Sequence, residues 1–172
     1  MSDTQTQSAI TPFWRYSLKF YGQSGVSDAC IALQDGCGVD VNLLLYLFWL
    51  ASEGRLVTAD DVKMLDDKVK SWRELTIVPI RDVRRKLKGA KTFIDPLKQE
   101  ALRDKVKVAE LEAERLQQEG LYAVTQSGPP LGTAAEPPAA ARGNVAAYAA
   151  AIGKTFPQAS VEVLLGGFAK AT

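Results

Sequence analysis

"LQDGCGVDVNLLLYLFWL", residues 33–50, decides the fold. Two glycines, Asp40 and Asn42 run straight into nine consecutive apolar residues, Leu43 to Ala51. Val39 to Glu53 is 15 residues, about 22 Å of helix at ~1.5 Å per residue. A membrane span needs about 20 apolar residues. The stretch therefore reads as a helix buried on all sides in a soluble core. Gly36-Cys37-Gly38 breaks the helix before it, Asp40 is placed to cap its start, and Gly54 to end it.

Helical signals continue outward on both sides. Thr11-Pro12 opens a first helix whose Phe13, Trp14, Leu18 and Tyr21 can share one face. Ser24 or Ser27 can cap a second, with Val26, Ala29, Cys30 and Leu33 at three- and four-residue steps. Thr58-Ala-Asp-Asp61 resembles a capping box and starts a long helix. Its stripe is Val62, Leu65, Val69, Trp72, Thr76, Ile80, Val83 and Leu87. Pro79 lies inside it and predicts a kink or a split. A further helix runs from about Asp95-Pro96 to Gln118, with a narrow stripe of Leu102, Val106, Ala109, Ala113 and Leu116.

No strand pattern and no internal repeat is visible, so the expected fold class is all-α. The expected organisation is a disordered N-terminus over residues 1–10, a bundle of about five helices over 11–120, a flexible Pro/Ala-rich linker over 121–143 and a short helical C-terminal element over 144–172, docked or free.

Composition excludes more than it specifies. The formal net charge is +1, which singles out no class of partner. Histidine is absent, which removes Ser-His-Asp and Cys-His catalysis and imidazole zinc sites. The two cysteines, Cys30 and Cys37, form neither a disulfide framework nor a C-x-x-C motif. No export signal is visible in residues 1–11, so a reduced, cytoplasmic protein is expected. No cofactor and no metal is expected.

Two groups of residues are candidates for function. Asp35, Asp40 and Asn42 offer oxygen ligands beside an apolar wall, the donors a hard cation takes. Diphosphate-binding helical enzymes need carboxylates at i and i+3 or i+4 on one face, whereas a glycine break separates Asp35 from Asp40. Capping by Asp40 and a polar inter-helix contact by Asn42 lead over a ligand site. Asp35 is left without a role. The second group is a basic arc on the long helix, Lys63, Lys70, Arg73, Arg81, Arg84 and Lys88, with Arg85 beside it and the apolar stripe alongside. A solvated helix face with dipole-complementary charge is the plain reading of it. A nucleic-acid partner is disfavoured, because the net charge is low and no recognised motif is present.

"FWRYSLKFY" (13–21), "GVSDACIALQDGCGVDVNLLLYLFWLA" (25–51) and "SWRELTIVPIRDVRRKLK" (71–88) together resemble an uncharacterised proteobacterial family, a conserved domain of unknown function. The resemblance covers roughly residues 10–120 and implies a helical, cytoplasmic bacterial protein. It carries over no activity, cofactor or site residue.

The leading functional reading is a non-enzymatic interaction or adaptor protein. It would bind an unknown protein partner through Arg73, Arg81, Arg84, Arg85 and Lys88 with the neighbouring apolar stripe. The alternative is a small-molecule binder or enzyme with an apolar pocket near the Asp35–Asn42 turn. Convergence of Asp35, Arg73 and Arg81 on a concave, partly buried site would favour the alternative.

Overall fold

The computed structural model describes residues 10–172. The expectation for residues 1–10 lies outside the described residues, apart from exposed Ile10. The chain runs α1 (Pro12–Tyr21), α2 (Val26–Cys37), α3 (Val41–Ser52), β1 (Arg55–Leu56), α4 (Ala59–Trp72), a π-helical turn (Arg73–Ile77), α5 (Val78–Leu87), α6 (Pro96–Gln126), β2 (Thr133–Ala134), α7 (Pro137–Ala151) and α8 (Gln158–Ala171). The fold is all-α. α4, the π turn and α5 follow one another without a break, so residues 11–120 hold five helical units, as the periodicities predict.

α3 is the axis of the bundle. Every residue from Asn42 to Ala51 is buried, and α1, α2, α6 and α7 all pack on it. Burying a leucine fully contributes about 1.5–3 kcal/mol, and Leu43, Leu44, Leu45, Leu47 and Leu50 are all inside. Aromatic rings fill the gaps between helices. Phe13 meets Tyr46 edge-on at 5.2 Å, Phe20 meets Phe48 at 4.7 Å, and Trp49 meets Tyr122 at 5.5 Å.

The caps explain most helix boundaries. Thr11 accepts from the Trp14 N–H, and Thr58 and Asp61 form the reciprocal capping box. α2 starts on Gly25 in the left-handed region rather than on a serine, and it runs through Gly36 to end at Gly38, also left-handed. α1 buries Phe13, Ser17 and Phe20, while Leu18 and Tyr21 stay exposed. The helix thus turns its polar Ser17 inward beside two phenylalanines.

Pro79 does not split the helical run. It has no N–H to donate, and its ring would crowd a carbonyl one turn back. The π turn over Arg73–Ile77 widens the helix just before it, with the Val78 N–H bonding the Arg73 carbonyl. Thr76 caps the disturbed turn by donating its hydroxyl to the Trp72 carbonyl at 2.6 Å.

The segment 121–143, expected as a linker, carries the last turns of α6, then β2 and the first half of α7. Its proline pair, Pro137 and Pro138, occupies the first turn of α7, where a missing N–H is harmless. Arg55 fastens the loop between them. Its guanidinium donates to the carbonyls of Leu131 (2.8 Å), Pro130 (3.2 Å) and Gly132. Gly132 has a φ of 71°, and a Cβ there would collide with the Leu56 carbonyl. In residues 144–172, Asn144, Tyr148 and Phe168 are buried against the bundle.

Asn144 joins α7 to the α3–α4 connection. Its amide oxygen accepts from the Val57 N–H at 2.8 Å, and its nitrogen donates to the carbonyls of Leu47 (2.9 Å) and Arg55 (3.0 Å). Asn144→Ala removes all three of these bonds. We expect a loss of about 2–4 kcal/mol in urea unfolding, against less than about 0.5 kcal/mol for the exposed control Lys154→Ala.

Candidate functional site

The turn between α2 and α3 sets the site. Gly38 in the left-handed region reverses the chain, and Asp40 then adopts the extended geometry of an N-cap (φ −77°, ψ 111°). One carboxylate oxygen accepts from the Leu43 N–H at 3.2 Å. The other accepts from Arg73 Nη1 at 2.9 Å and from Gln117 Nε2 at 2.8 Å. The Asp40 N–H donates to the Tyr148 hydroxyl at 2.8 Å. Asn42 is buried one turn in and accepts from Gln118 Nε2 at 2.9 Å. Arg73 also donates to Asp66 at 2.7 Å. Burial, with the Asp40 charge as a second cause, pushes the Tyr148 hydroxyl far above its ordinary pKa, so it stays a neutral partner for the turn.

A second junction lies about two turns beyond Arg73, on α5. Arg81 donates to Glu110 (2.8 Å), Gln34 (2.8 Å) and Glu114 (2.7 Å), tying α5 to both α6 and α2. Arg84 shares Glu110. Burial alone would raise the Glu110 carboxyl, but hydrogen bonds from Arg84 and Arg81 outweigh it and hold the pKa below its ordinary value. Glu114 goes the other way. Its burial and the neighbouring Glu110 charge raise it against the pull of Arg81.

Arg73 and Arg81 thus converge, with Gln34, Asp40, Asn42 and Ile77, on a cleft of about 220 Å³ between the α2–α3 turn and the π turn. Asp35 does not join them. It is exposed and accepts from Arg85 Nη2 at 3.1 Å, and that bond holds its pKa low. Lys88 is exposed as well. Of the five cations assigned from sequence to partner binding, three are turned inward to carboxylates and two, Arg85 and Lys88, face outward.

Periodicity did not reveal Glu110, Glu114, Gln117 and Gln118. They sit at helical spacing on α6 and look like a solvated face. In the structure that face is the buried one, together with Ala113, whose carbonyl accepts from the Trp72 indole at 2.9 Å. Leu102 and Leu116, from the expected apolar stripe, are exposed. The reason is that α5 offers guanidinium donors to the carboxylates Glu110 and Glu114, while Asp40 and Asn42 offer oxygens to the amides of Gln117 and Gln118.

Chemically, the site is a set of clamps. Each of its carboxylates already faces a guanidinium, a group that stays charged throughout the biological pH range. Burial pushes the Cys30 thiol up to about 12, which keeps it protonated and unreactive. Among the described residues no group of three His, Cys, Asp or Glu side chains is arranged to hold a metal ion, and no helix is long and apolar enough to cross a membrane.

A family model described as Protein of unknown function (DUF2390) matches residues 12–121, and the chain belongs to that family. Neither a curated protein nor a solved structure matches the chain. The match ends in the last turns of α6, so α7 and α8 lie beyond it.

The two junctions respond differently to substitution and pH. Asp40→Ala removes the acceptor of Arg73 and Gln117 together, and we expect a loss of about 3–5 kcal/mol by urea unfolding. Glu110→Gln should cost about 1–3 kcal/mol at neutral pH. Because the folded-state pKa of Glu110 is lowered, its contribution is present above the ordinary carboxylate range and fades as pH falls through that folded value. The stability gap between wild type and Glu110→Gln should therefore hold from neutral pH to about 5 and narrow below that, in urea midpoints taken down to about 3. A gap that widens in acid contradicts this assignment.

Proposed function

For a member of a family whose description assigns no activity, we propose a non-enzymatic interaction protein that docks a partner protein through the outer edge of α5 and the turn after it. One observation carries this reading. α5 buries none of its residues, and Phe93 in the following turn is 98% exposed. Val78 and Val83 on α5 are exposed as well, and Leu75 in the π turn is 76% exposed. An aromatic side chain held in full solvent on an ordered turn is the kind of anchor that partner surfaces bury.

Charge narrows the partner. Arg85, Lys86, Lys88 and Lys91 surround this edge, and among them Lys86 pairs with Asp82 and Arg85 with Asp35. The surplus is positive, so a partner with an acidic rim around an apolar pocket fits. Arg73, Arg81 and Arg84 act beneath the edge, by holding the helix that displays it. Under the same proposal the protein works in the bacterial cytoplasm, where its two free thiols are at home.

The cleft supports a second, weaker reading as a small polar ligand site. Arg73 uses only Nη1 for Asp40 and Asp66, and its other edge takes no hydrogen bond among the described residues. However, about 220 Å³ is below the roughly 300–1,000 Å³ of common ligand sites. Its charged lining residues are also already paired, Asp40 with Arg73, and Arg81 with Glu110 and Glu114.

Affinity capture from a native lysate tests the docking reading. Wild type should retain a partner that Phe93→Ser/Val83→Ser and Arg85→Glu/Lys88→Glu each lose, with helical circular dichroism unchanged. Equal recovery by all three proteins rejects the α5 edge as the docking surface.

A further inference from the structure

α6 is turned inside out, and its outer face has an order of its own. Facing solvent are Leu97 (82% exposed), Val108 (69% exposed), Leu102, Leu111 and Leu116. Beside them runs a row of charges seven residues apart: Lys98, Lys105, Glu112 and Glu119. Seven residues on an α-helix return to nearly the same direction, with a drift of about 20°. The row therefore stays on one face for its whole length, about 32 Å. Two lysines occupy the N-terminal half and two glutamates the C-terminal half. Arg115 pairs with both Glu112 and Glu119, so the C-terminal half keeps a net negative charge facing the two lysines.

Such a row is complementary to itself in one direction only. Set parallel to a second copy, it places lysine against lysine and glutamate against glutamate. Set antiparallel, it places Lys98 opposite Glu119 and Lys105 opposite Glu112, and a two-fold axis repeats both pairs. In that register Ala101 lies opposite Leu116 and Val108 opposite Ala109, small residues against larger ones along the seam. The inner face of α6 is already occupied by Arg81, Arg84 and Asp40, so a second copy would meet the opposite face.

We infer that the outer face of α6 binds a second copy of this chain, antiparallel, as a two-fold dimer. The contact is on a different helix from the α5 docking edge. A failure of one therefore leaves the other standing.

Sedimentation of the full chain over a range of concentrations tests it. Wild type should dimerise as concentration rises. Lys98→Glu/Lys105→Glu makes the row all-acidic, and Glu112→Lys/Glu119→Lys makes it all-basic. Each should raise the dimer dissociation constant at least about tenfold. An equimolar mixture of the two should form a heterodimer, and the chain carrying all four reversals should recover the homodimer. Circular dichroism and capture of the α5-dependent partner should stay unchanged, because none of these four side chains is in the buried core. A chain that sediments as a monomer throughout, a dimer indifferent to the one-sided reversals, or a fourfold reversal that stays monomeric overturns the inference.

Discussion

The carboxylate of Asp40 is the constraint on which the rest of the structure depends. It ends the α2–α3 turn by capping α3, reaches the π turn through Arg73 and reaches α6 through Gln117, while its own N–H reaches α7 through Tyr148. A charge this deeply buried loses several kcal/mol of hydration and gains little net stability over an apolar replacement. Any other register of these helices would leave it unpaired, at a larger cost. The junction therefore selects one arrangement of four helices, and the apolar packing around α3 supplies the stability.

The π turn and α6 are two halves of one solution. Pro79 forces the helix to widen, and the wider turn lies where Arg73 reaches Asp40 and Asp66. One turn on, Arg81 and Arg84 follow on the same side. A helix packed on a row of guanidiniums must present acceptors, and α6 does so with Glu110 and Glu114, with Gln117 and Gln118 continuing the polar face against Asp40 and Asn42. Leu97, Leu102, Leu111 and Leu116 are left on the outside, and only Leu121, near the end of the helix, is buried.

The apolar run of α3, the caps at Thr11, Asp40 and Thr58, and the position of Gly38 were all legible in the sequence, because each is a local signal with a local cause. The inverted face of α6 was not. Periodicity reports which residues share a face, and it assumes that the apolar face is the buried one. That assumption fails where the neighbouring helix is itself charged. Arg73, Arg81 and Arg84 were visible as a basic stripe, but their direction depends on carboxylates that arrive from α6 and from the turn before α3. Asn144 and Tyr148 were out of reach for a similar reason. They act on backbone groups 87 to 108 residues away, and the segment that carries them reads only as a short helical element, docked or free.

The closure of α3 by α7 has a consequence for the order of events during synthesis. α3 emerges from the ribosome early, fully apolar, yet one of its flanks is covered only when the segment around Asn144 and Tyr148 has been made. At roughly 5–20 residues per second, that interval is several seconds. Through it the nascent chain carries an uncovered strip of leucine and aromatic side chains, and the last contacts to form are those of longest range.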